Sequence, residues 1–341
     1  MHLQDSNRVT SEQPASMMII CKLGATIIAA LLLLGQTAGH ADTLLAGNCT
    51  VHFASVPDAR EYLARRDVYI KGLSPFERAA KIKQAGPVST AQFVEFIQGQ
   101  VLEWTDADKA KLRKVIAAAK PKLAKFAEHL PRRIDLIKTT GNDEGAAPYT
   151  RGTSIVLPKR TTRQSANGLK GLFYHELFHI ISRGDPKLRD KLYRIIGYEK
   201  CGVVSLPSDM TSRRISNPDA PVVEHCIHVS KDGESYWVAP VLFSRTPKYD
   251  PETGDTFFRY LEFRLMAIDR NSAKVILKDD KPILLKPDGV DGFYEQIGRN
   301  TDYIIHPEET LANNFVHLMR QKEGLKNPKI PRKIQKLLLT N

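Results

Sequence analysis

The run His175-Glu176-Leu177-Phe178-His179 constrains this chain more than any other. Residues four apart on an α-helix lie about 40° apart around its axis and one turn above each other. A helix through this run therefore aims both imidazoles from one rigid face at a single point, where they can share a metal ion. Glu176, beside the first histidine, sets a carboxylate where it can take a proton from an activated water. The flanks suit a buried helix: Tyr174, Leu177, Phe178, Ile180 and Ile181 are uncharged, and no proline interrupts the run. Ser165 or Asn167 can cap its start and Arg183-Gly184 can end it, so the pattern predicts a helix over about 166–183. Two unrelated histidines on an ordinary amphipathic helix are the competing reading.

Two histidines do not complete a catalytic zinc site, which takes three protein ligands and keeps one position open. His225, His228, His306, His317, Asp185, Glu308 and Glu309 are the available third ligands, and the stretch His306-Pro307-Glu308-Glu309 is favoured. Pro307 suits the first position of a helix, and Leu311, Phe315, Leu318 and Met319 then recur at helical spacing. Glu309 and Asn313, four apart, share a face, so Glu309 can ligate while Asn313 holds a ligand histidine by a hydrogen bond. Acidic residues in a first turn also complement the helix dipole, which accounts for Glu308 and serves for Glu309 as well.

These two helices resemble the gluzincins, the thermolysin-like zinc metallopeptidases, whose pattern is H-E-x-x-H with a downstream Glu-x-x-x-Asp. His175 and His179 fall on the two histidine ligands, Glu176 on the general base and Glu309 on the glutamate ligand. Asn313 stands where the family usually has aspartate; its amide can accept an imidazole proton but lacks the charge that raises ligand basicity. The resemblance implies one zinc ion per chain, a peptide or protein substrate, and a zincin-like core in the order helices, strands, motif helix. Tyr303 or His306, just before Glu309, is the expected donor to the oxyanion. In such enzymes an edge strand ahead of the motif helix pairs with the substrate backbone, and Thr153-Ser154-Ile155-Val156-Leu157 is the candidate. A zinc amidase acting on a cell-envelope polymer and a non-catalytic metal-binding protein are the alternatives.

The rest of the chain reads as an α+β protein. Residues 1–41 carry a short apolar core, Leu23 to Leu34, followed by Gly39-His40-Ala41, the pattern of a secretory signal peptide cleaved after Ala41; an uncleaved anchor from Met17 to Gly35 is the alternative. Export to the periplasm or the extracellular space follows from that expectation. Residues 42–130 read as a mainly helical region, with a capping box at Ser74-Pro75-Phe76-Glu77 and a kink at Pro121 in a long basic helix. Residues 131–341 read as the metallopeptidase core, interrupted at about 222–285 by a β-rich insert ahead of the third ligand. Of Cys49, Cys201 and Cys226, the last two are the favoured disulfide pair. The net charge of +12 raises the question of nucleic acid. The densest basic run, Lys109 to Lys125, faces away from an apolar stripe and reads as a solvated helix face, so nucleic acid is not expected and an anionic envelope partner is the better match. No segment after the first is long and apolar enough to cross a membrane.

Overall fold

The apolar segments around Ile134 and Ile155 lie side by side as parallel strands of one mixed sheet. A computed structural model describes residues 42–253 and 256–340, so the expected signal segment lies outside the described residues. The sheet is built from β1 (Thr43–Ala46), β2 (Cys49–Phe53), β3 (Arg133–Thr139), β4 (Tyr149–Arg151) and β5 (Ser154–Pro158), in the order β1-β2-β3-β5-β4. β2, β3 and β5 run parallel, while β1 and β4 lie antiparallel on the two edges. Successive strand residues point to opposite faces. Ile155 and Leu157 accordingly enter the main core, and Val156 between them enters a second one. That second core is covered by α1 (Val56–Leu63), α2 (Val68–Gly72), α3 (Pro75–Ile82) and α4 (Thr90–Gly99). The N-terminal region is thus mainly helical as read, but its β1 and β2 are part of the same sheet as the core strands.

Two local expectations change. β5 is internal, with β3 and β4 on its flanks, so the edge next to it is β4 and not the strand proposed for substrate pairing. Its five residues are all buried, as a strand covered on both faces must be. Ser74 caps α3 by accepting from Glu77 N at 3.0 Å, but the Glu77 side chain does not return to form a box. It turns inward to accept from Ser216 N at 2.9 Å and to pair with Lys81 at 3.1 Å, because buried Lys81 needs charge beside it. Ser89 and Gln92 make the reciprocal box at the start of α4 instead. The long basic helix α5 (Asp106–Leu123) carries Pro121 in its last turn and passes directly into a 3-10 turn.

The other face of the first sheet is covered by α5 and by the motif helix α6 (Ala166–Gly184), followed by α7 (Pro186–Arg194). Then β6 (Tyr198–Lys200), a loop holding α8 (Ser208–Ser212), β7 (His225–Lys231), β8 (Glu234–Ser244) and β9 (Leu261–Ile268) lead into a second sheet. Its order is β12-β9-β8-β7-β6, all antiparallel, with a minor hairpin of β10 (Leu277–Lys278) and β11 (Lys281–Pro282) before β12 (Leu284–Leu285). The β-rich insert is therefore one sheet that begins before residue 222, at β6. Residues 257–260, inside the span read as β-rich, form a 3-10 turn. Cys201 and Cys226 are buried free thiols, not a disulfide, and the Cys201 thiol donates to Gly202 O at 3.6 Å. The chain closes with α9 (Phe293–Ile297), α10 (Pro307–Arg320) and α11 (Lys329–Leu339). Among the described residues no helix is long and apolar enough to cross a membrane.

α10 packs along α6, and aromatic rings lock the pair. Phe178 of α6 meets Phe315 of α10 at 5.7 Å, and Phe315 meets Phe126 at 6.0 Å; all three are fully buried. Phe178→Ala should therefore cost about 3–5 kcal/mol by cavity formation, read as a lowered urea midpoint with an unchanged slope.

Candidate metal centre

Four residues of one helical turn on α6 and the first turn of α10 make the centre. Ser165 accepts from Gly168 N at 3.1 Å to start α6, and no proline or β-branched residue interrupts the helix before His175. Pro307 opens α10 at its first position, which leaves the next two residues, Glu308 and Glu309, at the end of a helix aimed into the core. The two helices run antiparallel: Ser182 near the end of α6 meets Glu308 at the start of α10, and Arg320 at the end of α10 meets Asn167 at the start of α6.

His175 Nε2 lies 3.0 Å from Glu309 Oε2, and His179 Nε2 lies 3.7 Å from the same oxygen. One ligand atom from each of the three residues falls within 4.8 Å of the others, so this group can hold a metal ion. Ligands about 2.0–2.2 Å from a tetrahedral ion stand about 3.4 Å apart, so the two measured separations straddle what zinc needs. A further observation supports the fit. His179 Nε2 is buried with no hydrogen-bond partner, although its other nitrogen is bonded. A buried nitrogen with no other partner, aimed at the shared point, is suited to donate its lone pair to a cation there.

The supporting contacts explain how these atoms hold their positions. His179 Nδ1 pairs with Glu308 Oε1 at 3.0 Å, and Glu308 Oε2 accepts from Ser182 Oγ at 2.8 Å and Tyr193 Oη at 2.5 Å. The ring is thereby fixed with Nε2 outward. Glu309 Oε1 accepts from Asn217 Nδ2 at 2.6 Å, which leaves Oε2 for the metal. Asn217 Oδ1 accepts from Asp219 N at 2.9 Å, and Asp219 Oδ1 accepts from Thr150 N at 2.7 Å on the free edge of β4. Glu308 was legible only as an alternative ligand or a dipole partner, and its role follows from packing against α6. Asn217 and Asp219 sit in a Pro/Asn/Asp-rich stretch that reads simply as loop, and no periodicity marks them.

The structure brings together His175, Glu176, His179, Glu309, Asn313 and Tyr303. Glu176 is buried and its Oε2 has no partner. Tyr303 lies nearly parallel to the His175 ring, 6.3 Å away at 18°. A cavity of about 370 Å³ is lined by His175, Glu176, Glu309, Tyr303 and Asn313. Asn313 donates to Thr301 Oγ1 at 3.1 Å, and the ring of His179 is held by Glu308 rather than by Asn313. His306 is not part of this group. It caps α10, its Nδ1 accepting from Glu308 N at 3.1 Å, and it lines a separate cavity with Tyr193 and His225. The other third-ligand candidates are engaged elsewhere: His225 with Asp190 at 2.8 Å, His228 against Trp237, His317 with Asn300 O at 3.0 Å, and Asp185 as the cap of α7.

Charge is unevenly balanced here. Burial and the nearby Asp219 and Glu309 carboxylates push Glu176 well above the usual carboxylate range. Burial alone would lower His179, but Asp219, Glu309 and Glu308 together hold it up at about 10. Burial would raise Glu309, but His179, His175 and the Asn217 amide hold it at about 2. Tyr303 is pushed upward by burial and by Glu309, Asp219 and Glu176, so its phenol stays protonated and able to donate. The metal-free centre thus keeps a proton on His179 that a cation displaces.

Comparison with protein-family models, with curated proteins and with solved structures returns no match.

Two outcomes follow. Glu308→Gln should weaken divalent metal binding by about 10–100-fold, measured by competition against a chromogenic chelator. The raised His179 stabilises the chelated fold most below its ordinary 6.5, and that contribution is lost as pH rises toward about 10. Melting temperatures of chelated protein should fall across that window, and metal should remove the decline.

Proposed function

We propose that this chain is an exported zinc-dependent peptidase with a zincin-like core. The observation that carries the reading is the convergence of His175, His179 and Glu309 beside an unpartnered Glu176 carboxylate in one open cavity. Two nitrogens and one carboxylate oxygen form a donor set suited to zinc with a position left open. A bound zinc ion would supply Lewis acidity toward a carbonyl oxygen and would acidify water.

The side chains account for the remaining chemistry. Glu176, whose Oε2 has no other partner, accepts a proton from the attacking water. The same group then delivers that proton to the departing amine. Tyr303, protonated and beside His175, donates to the oxygen on which negative charge develops. The β4 edge contributes less than the family pattern implies. Its Thr150 N–H is already donated to Asp219, so substrate pairing along β4 competes with that contact.

Zinc-loaded chain should cleave a mixed peptide library, with products identified by mass spectrometry. Glu176→Gln should retain one zinc per chain and lose about 10²–10⁴-fold in rate. Equal cleavage by both proteins, or none by wild type with zinc bound, would remove the peptidase reading.

A further inference from the structure

The cavity at the metal centre does not stop at the residues that make it. It continues along the groove between α6 and α10, past Gly171 and Val316, to Arg320. Glu309, Asn313, Val316 and Arg320 follow one another at helical spacing, so one stripe of α10 forms the wall from the metal centre to the guanidinium. The rise of an α-helix puts about 16 Å between the first and last of these residues. Helical side chains lean toward the N-terminus, which brings the guanidinium closer. An extended chain covers that remaining length with about four residues.

Arg320 is exposed at this open end. Its Nη2 donates to Asn167 O at 2.7 Å, and among the described residues no carboxylate lies within ion-pair distance. A guanidinium has five N–H donors, so most of its capacity is unspent. The guanidinium rests against Gly171: a Cβ there would lie 2.0 Å from Nη2, so an alanine at that turn of α6 would push the guanidinium aside. The metal end of the same groove is rich in carboxylates, with Glu176, Asp219 and Glu309, so the cation stands alone at the far end.

We propose that Arg320 anchors a substrate carboxylate, so that the chain accepted by this groove carries an anionic group about four residues from the bond placed at the metal centre. The inference rests on the hydrolase reading above for the meaning of "bond", but not for the binding itself. A planar guanidinium meets a carboxylate through two parallel hydrogen bonds, which a lysine in the same place would not supply. The carboxylate has two sources, a chain terminus or an acidic side chain.

The test uses the full zinc-loaded chain and one cleaved peptide rewritten with Glu, Gln or Lys at each position on either side of the cut, each with a free or an amidated C-terminus. The Glu-to-Gln ratio of kcat/KM is the readout, because it is internal to each variant. A single position should favour Glu by about tenfold, chiefly through KM, and added salt should reduce the ratio. A Glu preference at one position that survives amidation identifies an acidic side chain as the source, and a roughly tenfold loss of kcat/KM on amidation without a Glu preference identifies the terminus. Arg320→Ala should bring the ratio to near one, Gly171→Ala should do the same by displacing the guanidinium, and Arg320→Glu should favour Lys. The absence in wild type of both a Glu preference and a loss on amidation, or the survival of either effect in Arg320→Ala, overturns the proposal. If wild type cleaves nothing, the hydrolase reading falls by itself, and fluorescence anisotropy of the same peptides on zinc-loaded Glu176→Gln decides the anchor. Tighter binding of the Glu peptides that Arg320→Ala abolishes in that background supports it, and equal binding overturns it.

Discussion

The centre depends on two adjacent carboxylates that leave one helix end in different directions. Glu308 and Glu309 occupy consecutive positions of α10, about 100° apart around its axis. Glu309 faces the cavity and meets both histidines, while Glu308 reaches behind His179 to Ser182 and Tyr193. Either carboxylate alone in this buried position would be costly. Together with His179, Tyr193, Ser182 and Asn217 they form a network whose members are satisfied except for His179 Nε2, and the neighbouring Glu176 Oε2 is a second buried atom of the centre without a partner. Those two unsatisfied atoms are the places where chemistry can enter.

The segment Asn217-Pro218-Asp219 ties this helix pair to the first sheet. Asn217 grips Glu309, Asp219 grips the edge strand β4, and the Asp219 carbonyl accepts from Arg183 of α6 at 3.0 Å. A single loop therefore touches the third ligand, the sheet edge and the motif helix. Ser216 N, one residue earlier, is held by Glu77 in the buried Lys81 cluster, so the loop is anchored from behind as well. Such anchoring keeps a loop as rigid as the elements it joins.

Much of the centre was legible before any coordinates, because its parts obey helical spacing. His175, Glu176 and His179 follow from one turn of helix, and Glu309 follows from a proline-started helix with an apolar stripe. The boundaries of α6 were readable for the same reason. What was not legible depends on topology. His306 has the right chemistry for a ligand or donor, but the entry angle of α10 turns it into a cap. β5 was proposed as an edge, although its unbroken apolar run is the mark of a strand buried on both faces. β1 and β2 are too short to stand out against the helices that follow. Asn217 and Asp219 carry no local signal, since a loop that serves a distant helix has no period to show it.

One consequence concerns timing. β2 pairs with β3 across the whole set of α1–α5, and α6 waits for α10 across the second sheet. Contacts between residues so distant in sequence form late and slowly. A growing chain presents His175, Glu176 and His179 long before Glu309 exists, and before the loop that holds Glu309 has anything to hold. The candidate centre is therefore incomplete until late in synthesis: it comes into being only when the last helices dock, and a chain cut anywhere between α6 and α10 retains His175 and His179 without the Glu309 carboxylate that completes the group.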